Sequence, residues 1–451
     1  MSRAVPLARH SYTTAAVALS AIWYYLLERF FQHLPLDPFH PALLGQAFNS
    51  MAEHLLAGRF DIDPETIGGE AFLDGDRSYA YFGVFCALLR LPLLLFPALA
   101  HLDITRLSCL VALCLGVWFQ LRAVLLVRDA STPGPRRDWL TAAAVVCIFL
   151  GGQQIQFLRA SLYQEVVDWA NALGMGFVFL AMRGVLQGFG VRILTGMAVF
   201  AGLALLDRVS FGLGLYAALG GLLLPRRHVA LWPAVVLAGF VVAVGIVNAG
   251  RWGNPVLFAD FSKYALDLDQ YPDRLVRLGE YGAFNWRRLG LGLSYYLMPI
   301  ESVLLSETGR RLVDAMELPF GSFLVSDPFL LGLAAVGLRR NTLDVRMLLL
   351  GLAVPALLML TAISMNYRYR VEFYPFSVFA ALLGFRRLTA NPTAFGPKVR
   401  GAILAAVVAS VSVSHAMAAL YAVSPFGPAE QYILKDGWFG TYAPRLRVGH
   451  D

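Results

Sequence analysis

The chain is poor in charge: only 15% of its 451 residues are Asp, Glu, Lys or Arg, while 58% are hydrophobic. Soluble domains carry about 25% charged residues, so an ordinary soluble enzyme is excluded. Disorder is excluded too, because a chain this apolar, with 13% aromatic residues, can bury enough surface to offset its ordering entropy. Cysteine is scarce. Cys86, Cys109, Cys114 and Cys147 all lie in apolar stretches without metal-type spacing and read as buried free thiols. No long Lys/Arg block turns the net charge of +7 into a nucleic-acid groove, so no nucleic-acid partner is expected. No GxxxxGK[ST] or GxGxxG loop is present to cradle a nucleotide, and no internal repeat or low-complexity tract is evident.

What the chain does have is apolar runs of membrane-spanning length, from residue 14 to residue 422. They fall near 14–32, 80–100, 104–127, 139–158, 163–183, 190–206, 208–224, 230–249, 325–338, 347–365, 371–385 and 401–422. The run 80–100 carries Arg90, Pro92 and Pro97 and makes a poor span, so it reads as a helix that enters and leaves on one side. The first run lacks a small-x-small cleavage site and reads as a retained helix. Eleven spans then place sixteen Lys/Arg in the short inner segments and four, Arg159, Arg208, Arg368 and Arg370, in the short outer ones. The expected fold is an all-α polytopic membrane protein with about eleven transmembrane helices. Its N-terminus is cytoplasmic in an inner or plasma membrane, and its C-terminus and active face are extracytoplasmic. The transmembrane module covers 1–422, with outer loops at 33–103 and 250–324, and an outward tail follows at 423–451. Small residues crowd 196–221, which suits close helix packing.

The first outer segment holds Leu43, Leu44, Phe48, Met51, Leu55 and Leu56 at helical spacing, the pattern of an amphipathic helix on the membrane surface. An acidic stretch follows, with Asp61, Asp63, Glu65, Glu70, Asp74 and Asp76 inside sixteen residues. Asp-x-Asp pairs such as Asp61/Asp63 can hold a hard divalent cation, Mg²⁺ or Mn²⁺, or supply a general base; a solvated loop is the alternative. Glu165 and Asp168 stand at the outer end of the fourth span, where ionisable groups are costly. Asp207 and Arg208 lie at the next outer turn, where they could serve a site or simply pair with each other. Arg368 and Arg370, among Tyr367, Tyr369 and Tyr374, offer forks for a phosphate or anchors for headgroups. His415, alone in the last span, reads as a packed polar residue. Trp252, Tyr264, Tyr271, Trp286, Tyr295 and Tyr296 of the second outer segment could cover an acceptor or anchor at the interface. Acids and arginines on one face suit a substrate with an interfacial phosphate and a reacting centre above it.

The order of one span, a long outer loop with an amphipathic helix, then FDID…DGDRSYAYFGVFCALLRLP, an inward span ending in arginines, and a hairpin bearing YQEVVD resembles the GT-C membrane glycosyltransferases. That superfamily includes oligosaccharyltransferase catalytic subunits, protein mannosyltransferases and lipid A aminoarabinose transferases. The resemblance covers most of the chain by topology and rests on short motifs. It implies transfer of a sugar from a polyprenyl-phosphate donor to a lipid or glycan acceptor, by an inverting route. Carried over by position, it implies a base or metal-linked carboxylate at Asp61 or Asp63, with Glu165 as a second acid. It further implies phosphate binding by Arg368 and Arg370, with Arg208 and Tyr367 beside them. One departure stands out: many members place an Asp-Glu pair just before the amphipathic helix, and here no acid lies between Asp37 and Glu53. A transporter or flippase is the alternative, and a scaffold without chemistry a third reading. The charges cluster at one face instead of mid-membrane, which favours the transferase.

Overall fold

The structure, a computed structural model, describes residues 5–152, 158–269, 272–390 and 396–446. It is an all-α membrane protein with two minor strand pairs. The principal helices are α1 Val5–Gln32, α2 Ala47–Leu56, α3 Thr105–Asp129, α4 Pro135–Leu150, α5 Leu162–Gln187, α6 Val191–Asp207 and α7 Val209–Leu223. They continue with α8 Leu231–Trp252, α9 Pro328–Gly337, α10 Leu343–Leu360, α11 Tyr374–Ala390, α12 Pro397–Val423 and α13 Glu430–Leu446. Prolines open α4, α9 and α12 at the first turn, where a missing N–H costs nothing. Gly253, at φ 66°, closes α8 in the left-handed conformation.

Five of these helices, α3, α5, α8, α10 and α12, are long and apolar enough to cross a membrane. Helix also covers the other expected spans, in shorter or less apolar form. The expected run 139–158 stops as helix at Leu150, because Gly151 turns extended. Residues 80–100 do not form one helix. They make single turns at Phe85–Leu88 and Leu91–Leu94 and a 3₁₀ turn at Pro97–Leu99, since Pro92 and Pro97 each remove a donor.

The small residues of 196–221 and their partners make close helix approaches, and so do glycines elsewhere. A Cβ on Gly351 of α10 would lie 2.1 Å from Ala218 N of α7. Where α9 crosses α11, a Cβ on Gly384 would lie 1.9 Å from Leu333 O. Without a hydrophobic drive between helices in lipid, such backbone proximity supplies the packing.

The first outer loop forms α2 where the periodicity places it, but not as a surface helix. Ala47, Phe48, Asn49, Ser50, Met51, Ala52 and His54 are all buried, because Arg90, Arg251 and the 100–103 turn close over it. The acidic stretch folds into a hairpin, β1 Phe72–Asp74 antiparallel to β2 Arg77–Tyr79, pairing Phe72 with Tyr79. Gly75 takes φ 65° in its two-residue turn, which a side chain would strain.

The two outer loops share a small apolar cluster. Phe72 stacks on Tyr264 at 4.9 Å between centroids, with Trp252 and Phe261 packed around. Lys263 bonds Asp74 at 2.7 Å, and Ala265 N bonds Ala71 O at 2.9 Å. Tyr295 and Tyr296 are instead in the main core, whereas Trp286 is 79% exposed; Tyr271 lies outside the described residues. The tail is docked as well. In α13, which breaks at Gly437, Trp438 bonds Glu301 at 2.9 Å and Tyr442 meets Ser424 at 2.7 Å.

Candidate functional site

Asp61 and Asp63 come together around one imidazole. His54, on α2, holds Asp61 Oδ1 at 3.1 Å through Nδ1 and Asp63 Oδ1 at 3.2 Å through Nε2. Ser50, one turn earlier on the same helix, donates to Asp63 Oδ2 at 2.7 Å and accepts from Asp63 N at 2.9 Å. Arg59 bonds the remaining Asp61 oxygen at 3.1 Å. Sequence spacing gave no sign of the imidazole bridge; His54 looked like one polar residue on an amphipathic helix.

Asp61 and Asp63, the expected holders of a divalent ion, each set one oxygen against a nitrogen of the same imidazole. Among the described residues, no group of three or more His, Cys, Asp or Glu side chains is placed to hold a metal.

Glu165, at the first turn of α5, is fully buried and faces Arg90 of the 80–100 segment. Arg90 Nη2 reaches Glu165 Oε2 at 2.7 Å, and Nη1 pairs with Oε1. Both carboxylate oxygens are therefore occupied. Asp207 does not pair with Arg208; it accepts from the Cys86 thiol at 3.3 Å. The cysteines are free, with Cys86 and Cys109 buried. His415 is a packed polar residue, accepting from Trp23 Nε1 at 3.0 Å, with its other nitrogen 2.9 Å from Val411 O.

The arginine turn is a 3₁₀ run, Tyr367–Phe373, started by Asn366, whose side chain accepts from Arg368 N. Three residues per turn superpose 367 with 370, 368 with 371 and 369 with 372. Arg370 is fully buried, pairs with Asp327 and Tyr367, and bonds Ser326 Oγ at 2.7 Å. Arg208 pairs with Glu372, which also accepts from Ser210 at 2.8 Å, and covers the Tyr369 ring at 4.9 Å. Arg368 lies over Tyr163 at 4.5 Å, and its nearest carboxylate, Glu317, is 3.7 Å away. Of the turn's two arginines, only Arg368 makes no hydrogen bond to a carboxylate among the described residues.

Arg159 is the neighbour that sequence reading passed over as an outer-loop charge. It packs over Phe426 at 3.9 Å and Tyr421 at 5.5 Å, and its only hydrogen bond among the described residues goes to Tyr421 O at 3.4 Å. Burial, with Arg368 adding to it, pushes the Arg159 guanidinium below its usual pKa. Arg159 and Arg368 thus feel each other, and the Glu317 carboxylate acts on both.

Glu70 ends the 3₁₀ turn before β1. Tyr264 donates to Glu70 Oε2 at 2.7 Å, and the Glu70 charge acts on the Tyr163 hydroxyl. Burial and the Glu70 charge hold the Tyr264 hydroxyl well above its usual pKa, so it remains a donor. Tyr81, 36% exposed, feels Glu70, Arg368 and Arg208 together.

Deeper in the helices, an apolar groove runs between α3, α4, α9, α11 and α12. Val124, Ile148, Leu333, Val378 and Phe385 line it, and it reaches Asp327, the partner of Arg370.

No protein-family model matches this chain, and no curated protein matches it in sequence. Solved structures do. The apo oligosaccharyltransferase of Archaeoglobus fulgidus matches 95% of this chain at 15% identity with a TM-score of 0.50, and this chain spans 58% of that one. A second structure, of the Archaeoglobus fulgidus oligosaccharyltransferase AglB with an inhibitory peptide and a dolichol-phosphate, gives 15% identity and a TM-score of 0.44. It is matched over 96% of this chain and 58% of its own. The first likeness extends over nearly the whole chain and shows that it shares the fold of the matched part of that archaeal protein.

Proposed function

We propose that this chain is a GT-C membrane glycosyltransferase that moves a sugar from a polyprenyl-phosphate donor to a lipid or glycan acceptor on the extracytoplasmic face. The observation that carries the reading is the Arg159–Arg368 pair, two neighbouring guanidiniums that make no hydrogen bond to a carboxylate among the described residues and have Glu317 acting on both. Residues 1–422 form the membrane module in this reading, crossing eleven times with an inner N-terminus.

Inversion asks for three things of these residues. A base must take the acceptor proton, and a carboxylate of the first outer loop does so. Cations must hold the phosphate as it leaves, which falls to Arg368 and Arg159. Arg208 stands next to them, and Arg370 and Tyr367 support the turn from behind. The isoprenoid chain then needs apolar surface, and the groove ending at Asp327 offers it.

The test is release of free polyprenyl phosphate by the full chain in lipid, given a panel of labelled polyprenyl-phosphate sugars. Turnover of one donor is expected. Silence of the folded protein across a broad panel would remove the reading.

A further inference from the structure

We infer that Glu70 is the carboxylate that takes the acceptor's proton, in preference to Asp61 or Asp63; this rests on the transferase reading above. The argument is one of placement. Tyr163 feels both halves of the chemistry: its ring face carries Arg368 at 4.5 Å, and the Glu70 charge acts on its hydroxyl. A single side chain therefore spaces a carboxylate from the cation that would hold the phosphate. Tyr264, from the second outer loop, fixes the Glu70 carboxylate at 2.7 Å.

The competing carboxylates are committed. Asp61 and Asp63 are bound to His54, Ser50 and Arg59. Glu165 gives both oxygens to Arg90, and Glu372 is paired with Arg208. Glu317, 3.7 Å from Arg368, sits on the cation itself and would oppose the phosphate. Glu70 is partly exposed, its bonded partner is the neutral Tyr264 hydroxyl, and its charge is not cancelled by a bonded cation among the described residues.

The step balances as follows. The acceptor hydroxyl gives its proton to Glu70 while its oxygen forms a bond to the anomeric carbon. The bond from that carbon to the phosphate oxygen breaks, and its electron pair leaves on polyprenyl phosphate, held by Arg368 and Arg159. The carboxylic acid then returns its proton to water.

The experiment compares E70Q with the unmodified full chain in lipid, on the donor found active in the panel. General-base removal is expected to lower kcat about 100-fold or more, with the donor KM unchanged. Azide, an acceptor with no proton to lose, is expected to be glycosylated at similar rates by both proteins, which a merely structural defect would not allow. Y264F, which leaves the carboxylate and removes one hydrogen bond to it, is expected to lower kcat roughly tenfold. If E70Q does not fold, an unchanged kcat in Y264F overturns the assignment. So does E70Q turnover within about threefold of the unmodified chain. Absence of turnover by the unmodified chain overturns the transferase reading, and this assignment with it.

Discussion

Arg90 and Glu165 meet fork to fork, Nη1 and Nη2 of the one donating to both carboxylate oxygens of the other, with neither side chain exposed. The pair joins the 80–100 segment to the first turn of α5. It makes the broken, proline-containing run part of the core instead of a peripheral loop.

Breaking that pair from one side leaves a buried charge. Glu165→Gln is expected to destabilise the fold by about 3–5 kcal/mol, read as a fall in the thermal midpoint of the full chain in detergent. Replacing both Arg90 and Glu165 by Met should recover most of the loss. A single variant as stable as the unmodified chain would show that the pair contributes little.

Asp61→Asn and Asp63→Asn act on the His54 bridge. Each is expected to cost about 1 kcal/mol of stability, with loss of turnover at least tenfold smaller than in E70Q. Turnover assays of the three variants in parallel decide this. A loss in the double Asn variant equal to that of E70Q would return the base to the Asp-x-Asp pair.

Arg368 and Arg370 should separate cleanly. Arg368→Gln is expected to weaken polyprenyl-phosphate binding about 10- to 100-fold, the equivalent of one charge-assisted contact at about 1.5–3 kcal/mol, with the fold intact. Arg370→Gln strands Asp327 and should lower the thermal midpoint first. Vesicle binding and thermal unfolding, measured on both, give the contrast; equal binding losses in two equally stable variants would contradict it.

Orientation can be read by labelling. A cysteine at Asp76, on the hairpin turn, should react with an impermeant maleimide from outside, and one at Arg136 from the cytoplasmic side. Native Cys86 and Cys109 should stay unlabelled until unfolding, being buried. Labelling of both engineered sites from one side would remove the eleven-crossing topology.

Much of the architecture was legible because lipid leaves few choices. A run such as 104–127 or 401–422 has to become a helix to satisfy its backbone, and α3 and α12 lie over those runs. The glycines of 196–221 announced close packing for the same reason. The site was less legible. Acidic residues near Asp61 were visible as a cluster, but which carboxylate is engaged depends on partners far along the chain: Arg90 for Glu165, Tyr264 for Glu70, Glu372 for Arg208. Nor could hydropathy show that Arg370 would pair with Asp327 while Arg368 lies over Tyr163. Arg159, one isolated basic residue in a short turn, carried no local signal at all.

The Phe72–Tyr264 stack sets an order of events in the life of the molecule. Tyr264 emerges from the ribosome 194 residues after Glu70. At 5–20 residues per second, that interval is on the order of 10–40 seconds. For that time β1 and β2 have no lid, and Glu70 has no Tyr264 to hold it. The newborn chain can thread most of its helices through the bilayer before its outer mouth takes shape. An unfinished chain therefore lacks the contact that fixes Glu70 until the segment carrying Tyr264 has arrived.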